Sequence, residues 1–111
     1  MQNVLKETFT NREDVDVVGV ASGGLMAVGI IRQKQPELVV IDSNLPLSEA
    51  SALIAWLKEE CNQVCSLILA ETTGQLNQAI SEGADFALRS YSLATNLDRV
   101  IEHLRSTHKD I

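Results

Sequence analysis

Aromatic residues are scarce in this chain of 111 residues: one Trp, one Tyr and two Phe, 4% in all. Any core must therefore be assembled from Leu, Ile, Val and Ala. Positive charge is also in short supply. Nine Lys and Arg stand against fifteen Asp and Glu, for a net charge of −6. That argues against nucleic acid or an anionic membrane as the main partner. No apolar run approaches the roughly 20 residues that cross a bilayer. The start, MQNVLKETF, has no basic segment followed by a long apolar stretch, so it does not read as a secretion signal and a cytoplasmic location is expected. There are only two cysteines, Cys61 and Cys65. Their CNQVC spacing is not a CxxC redox pair and lacks the further ligands of a zinc site. They are expected to be small buried apolar side chains. His103 and His108 have no carboxylate or cysteine at ligand spacing and are expected to face solvent. Ser66, Ser90 and the cysteines form no recognisable triad, so the chain is not expected to be an enzyme.

Hydrophobic residues make up 45% and charged residues 22%, an ordinary globular balance. The length suits one domain, large enough to bury its apolar surface without staples or metals. A short helical piece is expected from Gln2 to Phe9. Val15 to Val20, VDVVGV, is a β-branched run that predicts a strand. ASGG then breaks the chain, with Ser22 as an N-cap. Leu25, Val28 and Ile31, with Met26 and Ile30 beside them, recur at helical spacing as far as Gln35, and Pro36 stops that helix. Glu37 to Asp42 is apolar on both faces, like a buried parallel strand. Glu49 to Glu60 predicts a helix that buries Ala50, Leu53, Ile54 and Leu57, with Trp56 at the stripe's edge. Cys65 to Ala70 is a strand, and Gln75 to Glu82 a weak helix with Leu76, Ala79 and Ile80 inward. Gly83 caps that helix, and Ala84 to Leu88 is the last strand. Ser92 opens a final helix with a clear stripe of Leu93, Leu97, Val100, Ile101 and Leu104. Ser106 to Ile111 reads as a frayed tail.

Alternating strands and helices at this spacing define an α/β fold with a parallel sheet between helical layers. In such folds reactive groups gather at the carboxyl ends of the strands. Asp42 stands at one such end. Ala70 and the Leu88–Ser90 segment end the next two strands. GVASGGLM is the best candidate for a phosphate cradle, as a cofactor binder on a flavodoxin-like fold would need. It lacks the GxGxxG and GxxxxGK[ST] patterns, and Ser22-Gly23-Gly24 is more simply a helix start.

Three segments in order, VDVVGVASGG, PELVVIDSNLP and EGADFAL, resemble the receiver domain of two-component response regulators. They match its second strand, its phosphoacceptor strand and loop, and the Gly-Ala-Asp turn into its last strand. The resemblance runs along nearly the whole chain. It implies a single flavodoxin-like domain over residues 1–111, three layers of α/β/α. The chain starts within what would be the first helix, so the first strand is missing and about four strands are expected. Asp42 takes the phosphoacceptor position. The backbone near Asn44 would join it in holding Mg²⁺, an ion that demands several oxygen ligands.

Against the family pattern the remaining positions are degenerate. The hydroxyl falls on Ala70, the lysine on Ser90 with Arg89 one residue earlier, and the relay aromatic on Ala87. Glu13, Asp14 and Asp16 lie at the opposite end of the sheet from Asp42 and do not replace the missing acidic pair. The resemblance and its gaps together imply a pseudo-receiver, a protein-interaction module without regulated phosphorylation or catalysis. It needs no cofactor, and Mg²⁺ would enter only with phosphorylation of Asp42. Asp42 itself then serves as a strand-end turn residue. The alternative is a phosphoacceptor that takes its phosphoryl group from a histidine kinase. A protein partner is expected in either case. A shortened first helix would leave an apolar patch near the first and last helices, which favours a homodimer or a constant partner. Neither an output domain nor a linker is expected after the last helix.

Overall fold

The described residues of a computed structural model are 9, 12–13, 15–21, 23–42, 45–61 and 63–109. Helix α1 spans Gly24–Lys34, strand β1 Leu38–Ile41, helix α2 Leu47–Glu60 and strand β2 Cys65–Ala70. Helix α3 occupies Thr73–Ser81 and strand β3 Phe86–Arg89. A 3-10 turn, Ser90–Ser92, leads into helix α4, Leu93–Lys109.

Among the described residues the sheet has three parallel strands in the order β1-β2-β3. Leu38 pairs with Cys65 and Ile41 with Ile68, while Leu67 pairs with Phe86 and Ala70 with Arg89. β2 takes the centre because CSLILA is apolar on both faces, and its Leu67 is 0% exposed. Alternate residues along the strands face opposite layers. On one face Ile41 and Ile68 pack with Ile31 of α1, with Ala50, Leu53, Ile54 and Leu57 of α2, and with Ala79 of α3. On the other, Leu67 and Leu69 meet Phe9 and the α4 stripe of Leu93, Leu97 and Ile101. Val100 and Leu104 are buried as well. Burying side chains of this size contributes about 1.5–3 kcal/mol each before entropy is charged. The two apolar layers hold the strands with their carboxyl ends together.

Several sequence expectations are corrected. Val15 to Val20 belongs to no strand, and residues 16, 18, 19 and 20 are exposed. The β preference of Val reflects packing on a paired, pleated neighbour. Here Val15 and Val17 only lean on the Leu67 cluster, so among the described residues the sheet has three strands rather than about four. Leu25 is 89% exposed, and Met26 and Ile80 also point outward. α1 packs mainly on α2, and α1 and α3 each bury one residue fully, Ile31 and Ala79. The exposed apolar residues Val18, Val20, Leu25 and Met26 lie before and within α1; the stripe of α4 is covered. The backbone of α4 is helical as far as Lys109. Gln2 to Thr8 and Ser22 lie outside the described residues; Phe9 is helical and buried.

Local chemistry explains the element ends. The N–H of Gln35 bonds to the Ile31 carbonyl with Gln35 left-handed at φ 48°, and Pro36 prevents continuation. Pro46 precedes α2, whose first turn carries Glu49, an anion at the positive end of the helix dipole. Gly83 has φ 101°, a conformation that favours glycine.

Candidate functional site at the carboxyl ends of the strands

Asp42 comes directly after Ile41, so β1 delivers its carboxylate to the carboxyl edge of the sheet. The residue is half-buried, and its carbonyl accepts the Leu45 N–H at 3.1 Å. A cleft of about 250 Å³ opens beside it, lined by Leu45, Pro46, Ile54, Ile68 and Gln75 among others. Asn44 lies outside the described residues.

Ala70 ends β2, is 1% exposed and offers no polar side-chain atom. Ala87 pairs with Ile68 and packs into the α2 layer. It presents a methyl group where the resemblance places an aromatic ring. Ser90 opens the 3-10 turn, and its hydroxyl reaches the Ala70 carbonyl at 3.5 Å. The structure thus gathers Ala70 and Ser90 at neighbouring strand ends, with Asp42 ending the next strand. Neither brings a charge to it. Among the described residues no three His, Cys, Asp or Glu side chains are grouped to hold a metal ion. Mg²⁺ needs near-octahedral oxygen coordination. Ala70, Ala87 and Ser90 bring no carboxylate to join Asp42 in such a set.

Arg89 lies level with Ala70. Its Nη2 donates to the Glu71 carbonyl at 2.7 Å, and its Nη1 reaches Thr73 Oγ1 at 3.4 Å. Its guanidinium stacks 5.4 Å from the Tyr91 ring centroid. This role was not evident from the sequence, because one-residue spacing from the lysine position suggests only a slip. Gln75 was also missed, although its signal is present. TTGQ is a Thr-x-x-Gln capping pattern. Thr72 Oγ1 accepts the Gln75 N–H at 3.1 Å, and Gln75 Oε1 accepts the Glu71 N–H at 2.9 Å.

The GVASGGLM loop is already supplied with an anion. Glu49 Oε1 accepts the Gly24 N–H at 3.0 Å, so a protein carboxylate occupies the start of α1. Cys65 is half-buried. Burial first, then the charges of Asp85 and Glu37, push its thiol pKa up from the ordinary 9.0, which keeps it protonated and unreactive. His103 is exposed, with its ring edge-on to Phe86 at 5.1 Å. No helix among the described residues is long and apolar enough to cross a membrane.

A parallel sheet between helical layers, with an aspartate directly after β1, is the arrangement that the resemblance to receiver domains implies. Comparison with known proteins bears this out. The chain has the fold of the response regulator domain of Thermotoga maritima CheB, with a TM-score of 0.71 over 96% of this chain and 86% of that one, at 20% identity. Over 96 residues, 86% of the chain, it is 28% identical to a protein-glutamate methylesterase/protein-glutamine glutaminase from Methanospirillum hungatei. The chain spans 26% of that protein's length. No family model matches. The chain has a receiver-domain fold.

Proposed function

We propose that the chain is a pseudo-receiver, a signalling domain that works through protein contacts and not through regulated phosphorylation. The observation that carries this is the pair of strand ends after β1. Ala70 is buried and apolar, and Ser90 is uncharged. The nearby cation, Arg89, is engaged with Glu71 and Thr73. A phosphoryl group brought to Asp42 would gain no positive charge from Ala70 or Ser90, and preorganised positive charge is what phosphoryl transfer requires. Mg²⁺ would become relevant only if Asp42 were phosphorylated. On this reading the chain performs no catalysis. Its partner is another signalling protein, a histidine kinase among the candidates, and self-association is a second way to cover the exposed residues before and within α1.

The test is incubation with acetyl phosphate and Mg²⁺ and then intact mass measurement. The expected result is an unmodified chain. An adduct of about 80 Da, one phosphoryl group, that disappears in Asp42→Ala would overturn the proposal in favour of a phosphoacceptor. Light scattering at high concentration addresses self-association, and a monomer there would leave a different protein as the partner.

A further inference from the structure

We infer that Arg89 is a built-in clasp that sets the β2–α3 loop and the Tyr91 ring in one arrangement without any ligand. Its meaning for function rests on the pseudo-receiver reading: a domain that is not switched by phosphorylation needs another means of holding its carboxyl edge in a binding-ready form.

The loop between Ala70 and α3 is short and its residues are exposed, and a segment of that kind is normally among the first to open. Here it is held from two sides. From the helix side, Thr72 and Gln75 exchange bonds with the turn, at 3.1 Å to the Gln75 N–H and 2.9 Å from the Glu71 N–H. From the sheet side, the Arg89 guanidinium reaches across the end of β2 to the Glu71 carbonyl and the Thr73 hydroxyl. A planar fork can serve two acceptors at once; an ammonium group cannot serve them with the same fixed geometry. The same plane carries Tyr91, 80% exposed with its centroid 5.4 Å from Arg89 Cζ. That distance is within cation–π range.

The cost of this pose is visible. Arg89 Nε is buried and has no hydrogen-bond partner among the described residues. Such orphan donors are uncommon. The guanidinium is therefore placed by its Nη contacts and by the ring, and not by satisfaction of every donor. A rigid aromatic beside an arginine is also the pairing that protein interfaces use most as an energetic centre, and fixing it in advance lowers the entropy lost on binding.

Residue-resolved hydrogen exchange on the whole chain tests the clasp. In Arg89→Gln the Glu71 and Gln75 amides are expected to exchange about tenfold faster than in the unaltered chain, while Leu97 and Ile101 in α4 keep their rates. Arg89→Lys, with charge but no fork, should resemble Arg89→Gln. Tyr91→Ala should give a smaller acceleration at the same two amides. Glu71 and Gln75 rates that stay within about twofold in Arg89→Gln would refute the clasp. So would rates that rise in step with those of Leu97 and Ile101, because that marks a general loss of stability. A phosphoryl adduct on Asp42 would overturn the pseudo-receiver reading and leave these exchange rates as measured, so the two failures are distinguishable.

Discussion

Asp85 is the residue of the EGADFAL turn whose removal gives the most direct test of how the sheet is locked. Its Oδ2 accepts the Ser66 N–H at 2.9 Å and lies 3.4 Å from the Ser66 hydroxyl. In return the Asp85 N–H donates to Ser66 Oγ at 3.2 Å. The pair ties the start of β2 to the approach of β3. Ser66 is 3% exposed, so in Asp85→Ala its N–H loses a charged acceptor in a poorly hydrated place. Hydrogen bonds to charged groups are worth about 1.5–3 kcal/mol. Asp85 itself is exposed, and a small cavity of about 90 Å³ lies between it, Ser66 and Lys58. Water entering there recovers part of the loss, which places the expected cost near the lower bound, about 1.5 kcal/mol. With roughly 2.1 cal/mol/K of unfolding entropy per residue, that lowers Tm by about 6 °C in a chain this long. Urea titration monitored through Trp56, the only tryptophan, should show a lower midpoint with an unchanged slope. Ser66→Ala, which keeps the N–H to carboxylate bond, should cost about half as much. A loss below about 0.5 kcal/mol in Asp85→Ala would refute the lock, since surface substitutions fall within that range.

The Gly83 turn and the Cys65 thiol give two further expected outcomes. Gly83→Ala should destabilise by at least about 1 kcal/mol. Its φ of 101° is unfavourable for alanine, and the new Cβ would stand 2.7 Å from Lys58 Cδ. Lys58→Ala in the same chain should restore only the part due to that contact, and recovery of full stability would show that the backbone carries no penalty. Cys65 sets a pH dependence. Its native pKa lies above 9.0, so on unfolding the thiol loses its proton more readily. Its contribution to stability is complete below pH 9.0 and falls as the pH climbs from there toward the raised native value. Alkylation of Cys65 near that pH should be slower in the folded chain than in urea, and equal rates would contradict the shift.

Much of the fold was legible in the residues. CSLILA and the Glu37–Asp42 run are apolar on both faces, and both became strands of a buried parallel sheet. The stripes of α2 and α4 also appear as the spacing predicts, because in each case the whole stripe meets a layer. VDVVGV has equal β preference but no ladder, since pairing depends on a neighbour that a local pattern does not specify. Leu25 and Ile80 fit a helical stripe in sequence, yet both point outward from helices that each bury a single residue fully. At the site, Asp42, Ala70 and Ser90 could be placed from the strand ends alone. Arg89 could not, because its role depends on a carbonyl and a hydroxyl from the neighbouring strand's loop.

The outer side of β1 has a bearing on how the molecule behaves in bulk solution. Leu38, Val39, Val40 and Ile41 form a four-residue edge with no charge, proline or bulge among them, and no described strand pairs there. Natural sheets usually guard such edges with those devices. A surplus of six negative charges per molecule opposes the approach of copies. That repulsion reaches only about a Debye length, roughly 30 Å at 0.01 M salt and 3 Å at 1 M. Self-association of this chain is therefore expected to rise with ionic strength, which light scattering across that salt range would check.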